Sequence, residues 1–174
     1  MRNLSLNARR AHDEPFEDDP EIALFVITHP ALDAPVRLST DPTERLSEDP
    51  LIYGTRSRWD GADPARDPYL FVLASAEQPG DLEDAPAAGR ITLENVDNRI
   101  AETLRGFTNR AMVHMAVVLG SSPDHPEAEY RDMRLMSASG DAGEVQLVFS
   151  RAPVEDEQVP MERFTRARFP GLFR

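Results

Sequence analysis

Two runs of the chain, residues 22–28 (Ile-Ala-Leu-Phe-Val-Ile-Thr) and 112–119 (Met-Val-His-Met-Ala-Val-Val-Leu), are apolar at consecutive positions and not at every second one. A strand with one wet face alternates, whereas a strand that is apolar throughout must be covered on both sides. Pro30 stops the first run, which reads as a central strand of a sheet. His114 alone interrupts the second. Whatever fold this chain adopts must place an apolar layer on each side of these two strands.

The rest of the chain supplies shorter pieces. Ile91 and Leu93 alternate with Arg90, Thr92 and Glu94, the period of a half-buried strand. Asn95 to Asn98 then offer the side chains that start a turn or cap a helix. A short helix is predicted after them, with Ile100, Leu104 and Phe107 as its stripe and Gly106 at its end. Residues 36–40 are predicted to pair antiparallel with the first run, and 69–74 form a second strongly apolar strand. Residues 51–53, 129–136 and 144–149 are further strand candidates, the last turning Val145, Leu147 and Phe149 inward. Residues 120–126 and 140–143 read as turns, and 41–67 as the least regular region. The 75–88 segment, rich in Pro, Gly, Ala, Asp and Glu, reads as a long mobile loop. Fifteen prolines and nine glycines leave little room for long helices.

These pieces predict a mainly β fold, a small β-barrel or sandwich with one or two short helices and extended terminal arms. The boundaries fall at 1–21 for an N-terminal helix (residues 4–12, with Ser5 as N-cap) and acidic linker, 22–152 for the barrel, and 153–174 for a C-terminal extended arm. A nine-residue helix does not hold in water alone, so it must dock on its own domain or on a neighbouring subunit. The acidic linker reads as a solvated connector, with a cation or partner site as the alternative. The C-terminal arm switches from Glu155, Asp156 and Glu157 to a basic and aromatic run, and it too needs a surface to lie on, its own barrel or a neighbour's.

Charge and composition bound the function. A net charge of −12 argues against a protein that wraps nucleic acid, since phosphate binding needs a basic face. No stretch approaches the roughly 20 apolar residues of a membrane span, and the N-terminus lacks the apolar core of a signal peptide. Cysteine is absent, which removes disulfides, thiolate metal sites and cysteine nucleophiles. All 19 basic residues are arginine, whose planar fork suits bidentate ion pairs and stacked interface contacts.

Motifs for chemistry are sparse. His12, His29, His114 and His125 fall on separate elements, none at ligand spacing. His114, set in an apolar strand, reads as a hydrogen-bonded structural residue. No phosphate-binding glycine loop and no Gly-x-Ser-x-Gly elbow occurs. Asn95, Asp97 and Asn98 lack the further oxygens of a calcium loop and serve better as helix caps. No catalytic residue, cofactor or metal is predicted. Trp59, between Arg56, Arg58 and Asp60, has two readings: an exposed interface anchor, or a loop plug folded back over the barrel. Together with Phe164, Arg166, Arg168, Phe169 and Phe173 it forms the predicted set of subunit-interface residues, since exposed aromatic and arginine side chains tend to dominate interfaces.

The run Ile-Thr-Leu-Glu-Asn-Val-Asp-Asn-Arg-Ile at 91–100 and the apolar strand after it are joined by the closing Arg-Phe-Thr-Arg-Ala-Arg-Phe-Pro-Gly-Leu-Phe at 163–173. With Asn-Ala-Arg-Arg-Ala-His at 7–12 and the strand ending Ile27-Thr28-His29-Pro30, they resemble a family of tailed-phage minor tail proteins, a domain of unknown function. The resemblance spans nearly the whole chain and carries no catalytic signature. It implies a structural virion protein of the tail tip or baseplate, assembled in the host cytoplasm. Such a protein forms a distal-tail ring, six-fold in preference to three-fold, that joins the tail tube protein to hub and baseplate proteins and fibres, near the tape measure protein. It implies no sequence-specific nucleic acid and no membrane insertion. The alternatives are a three-fold tail hub protein, a stand-alone β-barrel module that binds carbohydrate or peptide on Trp59 and Tyr53, and a small tail-associated hydrolase, for which the sequence offers no candidate residue.

Overall fold

The computed structural model describes residues 19–77, 88–94, 111–140 and 144–150, together with Ser5, Arg9, Asp13, Arg168 and Gly171. Ten strands account for most of them: β1 Glu21–Thr28, β2 Val36–Ser39, β3 Glu44–Glu48, β4 Leu51–Thr55, β5 Tyr69–Phe71, β6 Leu73–Glu77, β7 Ala88–Glu94, β8 Met112–Leu119, β9 Ser122–Gly140 and β10 Glu144–Ser150. All ten belong to one sheet in the order β3-β4-β5-β2-β1-β8-β9-β10-β7-β6. Every junction is antiparallel except that of β2 with β5.

β5 and β6 stand far apart in that order, yet Val72 alone separates them in the chain. A residue of extended chain advances only about 3.3 Å, so the sheet must curl until its β6 end returns beside β5. The fold is accordingly mainly β, a ten-strand sheet curled into a half-barrel.

The two apolar runs sit together at the middle of the sheet as β1 and β8, paired over their full length from Glu21↔Leu119 to Thr28↔Met112. Phe25, Ile27, Val113, Met115 and Val117 turn to the inside of the curl, where they pack with Leu38, Ile91, Leu93, Met133, Leu147 and Phe149. Ile22, Leu24, Val26, Ala116 and Val118 turn outward and pack with Trp59, Ala62 and Tyr69. The second apolar layer is therefore a connection between strands, the segment after β4, and not a second sheet.

Four sequence expectations are corrected. Residues 69–74 are not one strand. The run leaves β2 and β4 at Val72, whose N–H still donates to Ser39 O at 2.9 Å, and pairs with β7 from Leu73 onward. The irregular 41–67 region contains a hairpin, β3 with β4, turned by Asp49 and Pro50. Its Gly54 broke the sequence pattern because a Cβ there would lie 1.9 Å from Tyr69 O, so only glycine admits the close approach of β5. The 120–126 turn is confined to Gly120 and Ser121, after which β9 begins; Pro123 falls where the β8 ladder skips from Ser122 to Pro126, a bulge that tolerates proline. The expected 75–88 loop is strand at both ends, Ser75 to Glu77 in β6 and Ala88 in β7.

At the N-terminus, Arg9 N–H donates to Ser5 O at 3.1 Å, an α-helical bond, and Arg9 and Asp13 are helical. Ser5 N–H donates to the buried Glu127 carboxylate at 2.6 Å, so the chain docks here on its own β9. The rest of the helix predicted over 4–12, most of the acidic linker, the Asn95–Asn98 turn with its helix, and nearly all of the arm at 153–174 lie outside the described residues.

Candidate functional site

A cluster of polar and charged side chains lies on the outer face, where the turn Trp59–Gly61 crosses β8 and β9. Two bulges of β9 build it. Between Val113↔Met133 and Met115↔Tyr130, the single residue His114 faces two, Arg131 and Asp132, and Asp132 takes the left-handed φ of 57°. Such a bulge re-aims its side chains and disrupts the ladder locally. Here it leaves Arg131 on the outer face beside Glu129. The second bulge, at 123–125, presents Pro123 O and the Asp124 carboxylate to the residues just before the turn.

The turn is held at both ends. Ser57 Oγ donates to Pro123 O at 2.7 Å and accepts Trp59 N–H at 3.0 Å. Arg58 gives its backbone N–H and its guanidinium to the two oxygens of Asp124, at 2.7 and 3.1 Å. The backbone donation is the largest cause that holds the Asp124 carboxyl below its usual pKa. Past the indole, Asp60 stands at φ 51° and Gly61 at φ 72°, two left-handed residues in succession. That left-handed turn brings the Asp60 carboxylate back onto the sheet, 3.1 and 3.2 Å from His114 Nδ1 and 2.8 Å from the Arg131 guanidinium.

Trp59 lies under this network, 5 % exposed. Its Nε1–H donates to Glu129 Oε1 at 2.6 Å, and Arg131 donates to the same oxygen at 2.7 Å while its guanidinium lies 5.9 Å above the indole centroid. The Arg131 hydrogen bond is the first cause that lowers the Glu129 pKa, and the Glu129 hydrogen bond is the first that raises the Arg131 pKa. Tyr69 packs beside the indole, ring centroids 6.1 Å apart, and its hydroxyl donates to Trp59 O at 2.7 Å. Burial pushes the Tyr69 pKa far up.

Of the two readings of Trp59, the loop plug is the one observed. An exposed indole anchor is not present in this protomer, because the ring fills the space over Leu24, Val26 and Ala116. The guanidinium above it is that of Arg131, whereas Arg56 pairs with Glu44 and Arg58 with Asp124. The aromatic partner of Trp59 is Tyr69, while Tyr53 is 36 % exposed on β4. Arg168 is exposed. Phe164, Arg166, Phe169 and Phe173 lie outside the described residues.

Neither a protein-family model nor a curated protein matches this chain.

Chemically, the arrangement is a closed set of partners. His114 meets carboxylates at both nitrogens, Asp60 at Nδ1 and Asp132 at 3.8 Å from Nε2. Among the described residues neither nitrogen meets a hydroxyl, so the nucleophile–base pair of covalent catalysis is not assembled here. No group of three metal-ligating side chains occurs among the described residues either. The sequence assigned no site role to Asp60, Glu129, Arg131 or Tyr69: Asp60 appeared only as a neighbour of Trp59, and the others only within strand candidates. The one signal available was His114 itself: a polar residue on the outward register of a strand covered on both sides needs a partner in whatever covers it.

Proposed function

We propose that this chain is a structural subunit of a phage tail tip or baseplate, which forms a ring between the tail tube and the distal hub and fibres. The observation that carries the reading is the family resemblance, which touches both ends of the chain and its middle. The fold is compatible with it in two ways. A curled sheet whose surface loop is fixed by paired charges makes a stiff building block, and the polar cluster uses its groups on one another instead of presenting them to a substrate. The net charge of −12 suits a conduit for DNA, because a negative lumen repels the passing phosphate backbone.

The ring is six-fold in this reading, since one small barrel per chain fits a distal-tail ring better than a hub that spans a symmetry mismatch. Negative-stain images of the purified chain test it. Annular particles whose class averages carry six-fold symmetry are the expected result, three-fold averages transfer the chain to the hub, and isolated single-chain particles at every concentration contradict the proposal.

A further inference from the structure

The half-barrel has a seam, and its two sides differ from the two ends of an ordinary sheet. At one end of the strand order, β3 carries Glu44, Arg45 and Glu48, and a register shift between Arg45 and Ser47 disturbs its ladder. Charges and bulges of this kind guard an edge against strand addition. At the other end, β6 opens with Leu73, Ala74 and Ser75, which bear no charge, no proline and no bulge, and it pairs with β7 alone among the described residues. Leu73 is 56 % exposed. Beside this edge an opening of about 210 Å³ lies between β6 and the start of β1, lined by Glu21, Ala23, Thr40, Ala74, Met115 and Val117.

We infer that this seam receives an extended basic segment of a neighbouring copy of the chain, added as a strand along β6 with an aromatic side chain in the cavity. The inference rests on the ring reading above. Main-chain pairing along an open edge gives such an interface its affinity, and alternate side chains in pockets give it its specificity. The inner side of the seam has the room: the opening of about 210 Å³ is partly polar and open to solvent, and a phenyl ring entering it would lie against Met115 and Val117. The outer side has the charge. Leu73, Glu94 and Glu144 follow one another across β6, β7 and β10 on one face, so an arginine stem laid over Leu73 brings its guanidinium to Glu94.

The chain contains a sequence that meets both demands. Arg168 lies in a turn in the single chain; drawn out as a strand on a neighbour, residues 163–169 would place Thr165, Ala167 and Phe169 on one register and Phe164, Arg166 and Arg168 on the other. With Phe169 directed to the cavity, the two arginines face the acidic side, and Pro170 ends the pairing.

Because the chain lacks cysteine, the test is direct. Two full-length variants, Ser75→Cys on the edge and Arg166→Cys in the basic segment, are mixed and treated with a short bis-maleimide. A third variant, Ser47→Cys on the guarded edge, replaces Ser75→Cys as the control. The expected result is a mixed dimer of the first pair formed at least tenfold faster than with the control. Alongside, Ala74→Phe, which fills the cavity from within, lowers the fraction of ring in solution at least tenfold with an unchanged melting temperature. Equal rates for the two pairs, or a ring of unchanged abundance in Ala74→Phe, overturns the seam assignment and leaves the ring reading standing. An unmodified chain that stays monomeric overturns both.

Discussion

The outer face of β1 and β8 and the seam at β6 both carry apolar side chains that the sheet cannot cover alone, and the chain treats them in opposite ways. The outer face is sealed by its own loop: Trp59 and Ala62 fill the space, and Asp60, His114, Glu129 and Arg131 fasten the turn. The seam keeps Leu73 in water beside a cavity. Both use apolar groups from strands, yet among the described residues only the first has left-handed residues, bulges and paired charges that hold a cover in place. The difference teaches where this molecule is complete and where it is not. The fastened surface belongs to the fold, and the unfastened one is where the proposed contact with a neighbouring copy would form.

Substitutions can break the sealed side. Trp59→Ala removes the largest side chain over the outer face and leaves Glu129 short of a donor; the loss is expected to be about 3–5 kcal/mol, read from the midpoint of denaturant unfolding. Gly54→Ala attacks the same patch from behind, because the added Cβ meets Tyr69 O and must push β5, which carries Tyr69, away from β4. A loss of about 2–4 kcal/mol is expected, on the scale of backbone and packing faults, and a fluorescence shift of Trp59 should accompany it.

Smaller changes sharpen the contrast. Arg131→Ala withdraws one partner each from Asp60 and Glu129, but its side chain is 45 % exposed, so the expected cost is about 1 kcal/mol, shrinking at high salt. On the seam side, Leu73→Ser should leave the stability of the protomer within about 0.5 kcal/mol of the unmodified chain and weaken association instead. A similar loss of folding stability from Leu73→Ser and Trp59→Ala would erase the distinction between the two surfaces. The smallest effect is that of pH. Glu129 and Asp124 have depressed pKa values in the folded chain, so each binds its proton less readily than in the unfolded chain. Their contribution is complete above the ordinary carboxylate values of 4.5 and 3.8 and fades as the pH falls through the lower folded values. Acid titration of Trp59 fluorescence should therefore report the turn loosening below about pH 4, and a turn that loosens near neutrality would assign the fastening to other groups.

The sequence was legible where one local period ruled. The doubly apolar runs at 22–28 and 112–119 became the paired central strands, and the alternation of Val145, Leu147 and Phe149 became an inward row. Legibility failed where a distant neighbour decided. Gly54 looks like a breaker until Tyr69 O is known to press on it, and Val72 looks like mid-strand although the ladder changes partner there. The fastening of the turn was illegible for the same reason: Asp60, His114 and Arg131 are far apart in the chain and meet only because β9 carries an extra residue opposite His114. The burial of Trp59 was one of two open readings, and composition alone does not choose between an anchor and a plug.

Hydrogen exchange of the full-length chain, followed by mass spectrometry over a dilution series, tests the contrast most directly. It predicts that amides of Leu73–Glu77 gain protection as the concentration rises, while those of Ser57–Gly61 are equally protected at every concentration. Constant exchange along β6, or a turn at 57–61 that gains protection with concentration, would contradict it.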